Sequence, residues 1–276
     1  MKSYPQLPKP ALKALTNDAF PKFAATVSDD GVPNVVPLLT TNAADATTLI
    51  FARFMIWKTA RNLAANRKIT INVIGPGFCS WIIRGEFQEF VRQGPYLEHY
   101  NRKALFRYNA YAGAGEVGVI KVLEARGPLP LGLLRSLFYG WLRERSRNGH
   151  AGAHDQVVMP PPVQEKFDLR LAIKYLGFVE EDGFPIALPC LDLHSRSADV
   201  LAYAVPRANG HPLSQLRPAQ KIAAAVLTLA PVAYQVKGVF AGEENAAGSR
   251  QGLIQLQESY TAAPPVPGRR LFPPEP

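Results

Sequence analysis

The sequence predicts a mainly β protein with a few helices, built as two related halves that each form a small barrel or sandwich. Three observations carry this: an internal repeat, an Asp-Gly hairpin in each copy, and short apolar runs at close spacing. The stretch Val27 to Leu39 recurs 152 residues further on, from Val179 to Leu191, keeping the Val, the Asp-Gly pair, both prolines and the final Leu, with Asp29 opposite Glu181. At the same offset Leu49–Ala52 matches Leu201–Ala204. After one inserted residue Arg84-Gly85 matches Lys237-Gly238, with Trp81 opposite Tyr234. Matches in the same order at nearly one offset indicate a tandem duplication.

Each element has a local cause. A β-branched and aromatic run enters the turn at Asp30-Gly31, or Asp182-Gly183, and an apolar run leaves it, which is a hairpin signature. Thr48–Phe51, Ile69–Ile74, Ser80–Ile83 and Val117–Leu123 are rich in strand-forming residues, and Gly75-Pro76-Gly77 punctuates them. Helices are expected at Thr59–Asn66, Tyr96–Tyr108 and Pro130–Arg147. The last carries a stripe of Leu131, Leu133, Leu134, Leu137, Phe138, Trp141 and Leu142 with arginines beside it, read as packing against the domains rather than lying on a membrane surface. Pro160–Pro162, beside the polar Gly-rich stretch Asn148–Gly152, reads as a linker, and the prolines from Pro264 to Pro276 read as an extended tail. The predicted organisation is a barrel over residues 1–126, an amphipathic helix and linker over 127–166, and a second barrel with its Pro-rich tail over 167–276.

Composition narrows the function. The chain has 276 residues, 47% hydrophobic and 19% charged, enough apolar content for a sizeable core. Cys79 and Cys190 are its two cysteines, which excludes a disulfide framework and a cysteine-based zinc module and fits a reducing, cytoplasmic setting. His150 and His154 are four apart, but the glycines between and beside them disfavour a helix and no third ligand accompanies them, so no metal is expected. There is no apolar run long enough for a spanning helix and no signal-peptide core at the start, so integral membrane association is not expected. The net charge of +9 comes from basic residues spread along the chain, without a recognition helix or an aromatic RNA-binding pattern, so nucleic acid is not an expected partner.

The segment Phe51 to Asn66 is a strand, a short loop and a helix start. Thr59 is predicted to cap that helix, with Lys58 beside it. Free amide donors, the positive end of the helix dipole and a full positive charge suit a phosphate; the plainer reading is a capped surface helix.

At this point the chain resembles a family. The Asp-Gly-x-Pro hairpin, the strand ending at Ala52, the run Lys58 to Asn66, an apolar strand and then Ile83-Arg84-Gly85 follow the order seen in FMN-binding split-barrel proteins, relatives of pyridoxamine 5'-phosphate oxidase. Small bacterial FMN-binding proteins look most similar. The resemblance covers residues 20–126 and, more faintly, 170–260. It implies six-stranded Greek-key split β-barrels, here two in tandem forming an intrachain pseudo-dimer, with FMN in a groove between barrels. Lys58 and Thr59 would hold the flavin phosphate, while Pro37, Leu38, Thr40, Ala52 and Arg53 would line the flavin. Trp57 would cover the isoalloxazine or fill a barrel end. The basic set of the true oxidase pocket is not found, and no residue is assigned as catalytic.

In the second copy Gly210-His211-Pro212 stands where Lys58-Thr59 would fall, and proline offers neither hydroxyl nor N–H. One flavin per chain is therefore expected, the second barrel being degenerate. The functional expectation is an FMN-dependent oxidoreductase acting on a small molecule, with homodimerisation of the pseudo-dimer open. A deazaflavin reductase, a haem-handling barrel and a non-catalytic ligand-binding barrel are the alternatives.

Overall fold

The computed structural model describes residues 1–103, 115–131, 157–208, 210–230, 232–246 and 249–274. The first set of elements is β1 (Lys2–Tyr4), α1 (Lys9–Thr16), β2 (Lys22–Val27), β3 (Pro33–Pro37), β4 (Asn42–Ala43), β5 (Thr48–Ala52), α2 (Trp57–Ala65), β6 (Lys68–Gly75), β7 (Cys79–Val91), α3 (Pro95–Asn101) and β8 (Val117–Pro130). The second is α4 (Pro161–Asp168), β9 (Ile173–Val179), β10 (Pro185–Pro189), β11 (His194–Ser195), β12 (Val200–Ala204), β13 (Lys221–Leu227), β14 (Ala233–Ala246), β15 (Ser249–Thr261) and β16 (Arg270–Phe272). Of the expected helix Pro130–Arg147, Pro130 instead ends β8 and residues 132–147 lie outside the described residues, as do the Gly-rich stretch with His150 and His154 and the end of the expected helix Tyr96–Tyr108.

Two eight-stranded sheets result, and they share one strand order. The first runs β3-β2-β6-β7-β8-β5-β4, with β1 paired to β8; the second runs β10-β9-β13-β14-β15-β12-β11, with β16 paired to β15. The long central pairs of both sheets, β7–β8 with β5–β8 and β13–β14 with β14–β15, are antiparallel. The chain is mainly β and carries two sheets of one topology in tandem, as its sequence predicts, with eight strands in each where six were expected. By contact density it divides into unit 1 (Met1–Asp30, Val36–Pro130, Glu180–Ala187) and unit 2 (Gly31–Val35, Leu131–Val179, Leu188–Pro276).

The repeat also reaches further upstream than the matched hairpins suggest. Pro160–Pro162, expected as linker, starts α4: Pro160 is its N-cap and Pro161 its first helical residue. Proline suits that place, because first-turn amides have no intrahelical acceptor to lose. Helix α1 begins in the same way after Pro8, 152 residues earlier, and buries Ala11, Ala14 and Leu15 where α4 buries Val163 and Phe167. Neither helix is anticipated by the sequence reading. The Pro-rich end is likewise more than a tail, since β16 pairs with β15 through Ser259–Phe272 and Tyr260–Arg270. As an edge strand it tolerates prolines on either side.

Glycine explains the matched Arg84-Gly85 and Lys237-Gly238 pairs. In each sheet the pair marks a register shift in the two longest strands, β7–β8 and β14–β15. A Cβ on Gly85 would lie 2.4 Å from the Ile120 side chain, and one on Gly238 would lie 2.0 Å from the Gln255 carbonyl oxygen. A bulge lets such long strands bend, and the residue at the bend has to be small. A second shared device is an aromatic ring laid over a cross-strand glycine: Phe51 faces Gly118, and Tyr203 faces Gly252.

The core of unit 1 sits on one face of the first sheet. Ile69, Ile71 and Val73 of β6 meet Trp81 and Ile83 of β7, with Ala14 and Leu15 of α1 and Leu63 of α2 packed onto them. The opposite face is buried too but polar, with Thr70, Asn72 and Arg84. Ala substitution at Gly118 puts a methyl carbon 2.2 Å from the Phe51 ring, whereas Gly115 has nothing nearby. G118A should lower unfolding stability by about 1–3 kcal/mol and G115A should not, as measured by denaturant melting of the two variants.

Candidate functional site

Strand β5 ends at Ala52, and the chain then turns through Arg53–Ile56 into α2. Met55 takes a left-handed conformation in this turn (φ 52°), unusual for a residue with a side chain. Ile56 is the N-cap, and its carbonyl accepts from the Ala60 amide at 2.8 Å, closing the first helical turn. Thr59 therefore does not cap the helix, contrary to the sequence expectation. It lies in the first turn and is buried, while the cap residue supplies no side-chain hydrogen bond. The reason is that α2 rests on its Thr59, Ala60, Asn62 and Leu63 face, which draws the helix start back to Trp57. The Asn62 amide donates to Thr26 Oγ1 at 3.0 Å and ties α2 to β2.

This leaves a helix start with no side-chain cap, no acidic residue in its first turn, and Lys58 and Arg61 as its charged residues. Lys58 is half-buried and Trp57 is exposed. The positive end of the dipole and Lys58 thus coincide, and the donor set fits a phosphate group.

The other predicted lining residues divide. Thr40 and Ala52 are brought together, the Thr40 hydroxyl donating to the Ala52 carbonyl at 3.4 Å. The Tyr100 hydroxyl reaches the Thr40 carbonyl at 2.7 Å and the Ile50 carbonyl at 2.9 Å, pinning the loop after β3 to the end of β5. Its burial pushes the phenol well above its usual range, so it remains a proton donor. Tyr100 has no recognisable signal in the sequence beyond its place in an expected helix. Leu38 points into the core of unit 1, and its amide donates to the Lys22 carbonyl at 2.9 Å, so its side chain packs rather than lining a site. Pro37 is half-buried at the end of β3.

Arg53 is already engaged. Its guanidinium pairs with the Glu116 carboxylate and lies 4.7 Å from the Phe90 ring centroid, and its amide donates to the Glu116 carbonyl at 2.9 Å. Arg92 holds the same carboxylate at 2.6 Å. Hydrogen bonds from Arg53 and then Arg92 keep Glu116 below the usual carboxylate range.

A second polar group was not legible in the sequence. Lys22 is fully buried and donates to the Asn17 carbonyl at 2.8 Å. Nearby, Asp18 pairs with Lys103 at 2.6 Å, and a surface depression on α3 is lined by Glu98, His99, Arg102 and Lys103. No cluster of His, Cys, Asp and Glu suited to a metal occurs among the described residues. Among them no helix is long and apolar enough to cross a membrane.

No family model matches the chain, and no curated protein does. Solved structures do. The chain is similar to an FMN-binding protein from Syntrophomonas wolfei subsp. wolfei, at 15% identity over 42% of this chain and 79% of that one, with a TM-score of 0.35. An F420 reductase matches at 21% identity over 44% of this chain and 98% of its own, with a TM-score of 0.35. HupZ from Group A Streptococcus matches at 24% identity over 37% of this chain and 80% of its own, with a TM-score of 0.31. The structural neighbours include FMN-binding, pyridoxamine 5'-phosphate oxidase-like and F420 reductase proteins.

Burial pulls the Lys22 ammonium down to about 8, with Asp18 opposing and Lys103 adding to the shift. Between that value and its ordinary 10.5 the unfolded chain holds more protons, so this group makes stability rise with pH across the interval. Below the interval both states carry the proton, and the cost of burying the charge is present in full. The stability of wild type relative to Lys22→Met should therefore grow over that range in chemical denaturation. A difference independent of pH would show that Lys22 is not a buried ammonium.

Proposed function

We propose that the chain binds FMN, with the phosphate at the start of α2, and serves as a cytoplasmic oxidoreductase for a small-molecule substrate. The observation that supports this most is the helix start itself: α2 begins without a side-chain cap and places Lys58 in its first turn. A phosphate would fill the role that a capping side chain fills elsewhere.

The second copy supports a single flavin per chain. At the corresponding place the α-helix is replaced by a short 3-10 turn, Pro212–Ser214. There the His211 ring nitrogen accepts from the Leu213 amide at 3.2 Å, so the chain caps its own turn. Proline at its first position supplies no amide.

FMN supplies the redox chemistry when bound. The residues of this chain would hold and orient it. Lys58 neutralises phosphate charge, Thr59 and the first-turn amides of α2 surround it, and the Thr40–Ala52 contact sets the edge beside the ring. Trp57, exposed next to Lys58, offers an indole face to an aromatic ring. Arg53 acts through Glu116, holding the turn before α2, rather than by contacting flavin.

Purified chain should bind FMN at a ratio near one per chain, read from its visible absorption. Lys58→Ala with Thr59→Ala should weaken that binding by about a hundredfold, the scale of two lost charge-assisted contacts. A ratio near two, or unchanged affinity in the double variant, would refute the assignment. Uptake of a deazaflavin or haem in place of FMN would transfer the chain to those readings, and uptake of none would leave a non-catalytic barrel.

A further inference from the structure

We propose that unit 1 carries a recognition site for an acidic, aromatic-tipped β-turn, and that the site selects the turn Glu180–Pro185 over its own repeat, Ser28–Pro33. The site consists of Arg84, Arg126, Lys68 and Thr70 on the polar face of the first sheet, and the turn belongs to the same unit.

The contacts are specific. Arg84 Nη1 donates to Asp182 Oδ2 at 2.6 Å and Nη2 to Asp182 Oδ1 at 3.2 Å, a two-pronged guanidinium–carboxylate pair. Arg84 Nη2 also donates to Glu180, which Arg126 Nη1 approaches at 3.3 Å. The guanidinium carbon of Arg84 lies 4.7 Å from the Phe184 ring centroid, and Lys68 Nζ lies 4.9 Å from it. Lys68 Nζ donates to the Asp182 carbonyl at 2.8 Å, and the Thr70 hydroxyl to the Pro185 carbonyl.

Charge explains why such a turn is required. Arg84 has only 9% of its side chain exposed, and the carboxylate of Glu124 lies 3.8 Å from it while also pairing with Arg126 at 2.9 Å. Two guanidiniums thus share the Glu124 carboxylate, and a buried guanidinium needs closer compensation than that. Glu180 and Asp182 supply it.

Selectivity follows from comparing the two copies at the 152-residue offset. The Asp, Gly and Pro are common to both turns, so the fork on Asp182 and the backbone contacts of Lys68 and Thr70 do not discriminate. Glu180 is replaced by Ser28 and Phe184 by Val32, which removes one carboxylate and the ring over which two cations sit. The Ser28 hydroxyl, moreover, donates to the Asp30 carboxylate. A duplicated chain carries two nearly identical turns that could exchange places, and these two substitutions keep them apart.

Hydrogen exchange on the full chain tests this by comparing wild type with Glu180→Ser, Phe184→Val, which rewrites the second turn as the first. Amides in residues 180–187 should exchange at least about tenfold faster in the double variant, while β2 and β5 keep their protection. Glu180→Asp with Phe184→Tyr should restore protection. Unchanged exchange at 180–187 in the first variant would overturn the proposal. If that variant loses protection throughout the chain, Phe184→Val alone is read at the same amides: faster local exchange supports the site, and wild-type exchange overturns it.

Discussion

The candidate site depends on one close contact, the Phe51 ring laid on Gly118. The absence of a side chain at Gly118 lets β5 lie against β8 in the register that pairs the two residues. With β5 held, Ala52 becomes a defined endpoint. The loop after β3 is tied to it by Thr40 and Tyr100, and the turn into α2 departs from it. Arg53, Glu116 and Arg92 then brace that turn from the β8 side. The orientation of Lys58 at the helix start is therefore the last term in a series that begins with a backbone carbon bearing no side chain.

Buried polar groups set a second constraint. Thr70, Asn72 and Arg84 occupy one face of β6 and β7 where an isolated sheet would face water. Most of their hydrogen-bonding capacity is met, but Arg84 Nε has no hydrogen-bond partner among the described residues. An unmet donor there is tolerable because the two terminal nitrogens of the same guanidinium carry strong, charge-assisted contacts. Lys22 stands differently, since burial favours its neutral form and its ammonium donates to a backbone carbonyl.

The strands and the repeat were legible because both are written in local pattern. Apolar runs, Asp-Gly turns with glycine at positive φ, and glycine at the bulges recur in order, and each has a short-range physical cause. The misread elements have non-local causes. Thr59 has the chemistry of a cap, but packing of α2 on β2 moves the helix start to Trp57. Helices α1 and α4 are short and begin with prolines, which in isolation mark a linker as readily as a first turn. Strand β16 exists because β15 offers it an edge. Among the proposed site residues, Lys58 and Thr59 are read from a helix start and from the family resemblance, whereas Tyr100, Glu116 and Arg92 act through contacts that no sequence interval announces.

From its sequence alone the chain could be read as a duplicated, mainly β protein, because period, turn chemistry and offset are properties of neighbouring residues. The tertiary structure decided where α2 begins, which arginine is spent on the Glu116 carboxylate, and which of two similar turns satisfies Arg84. Those outcomes turn on burial and on charges brought together from distant positions, where the strength of an interaction depends on what excludes water around it.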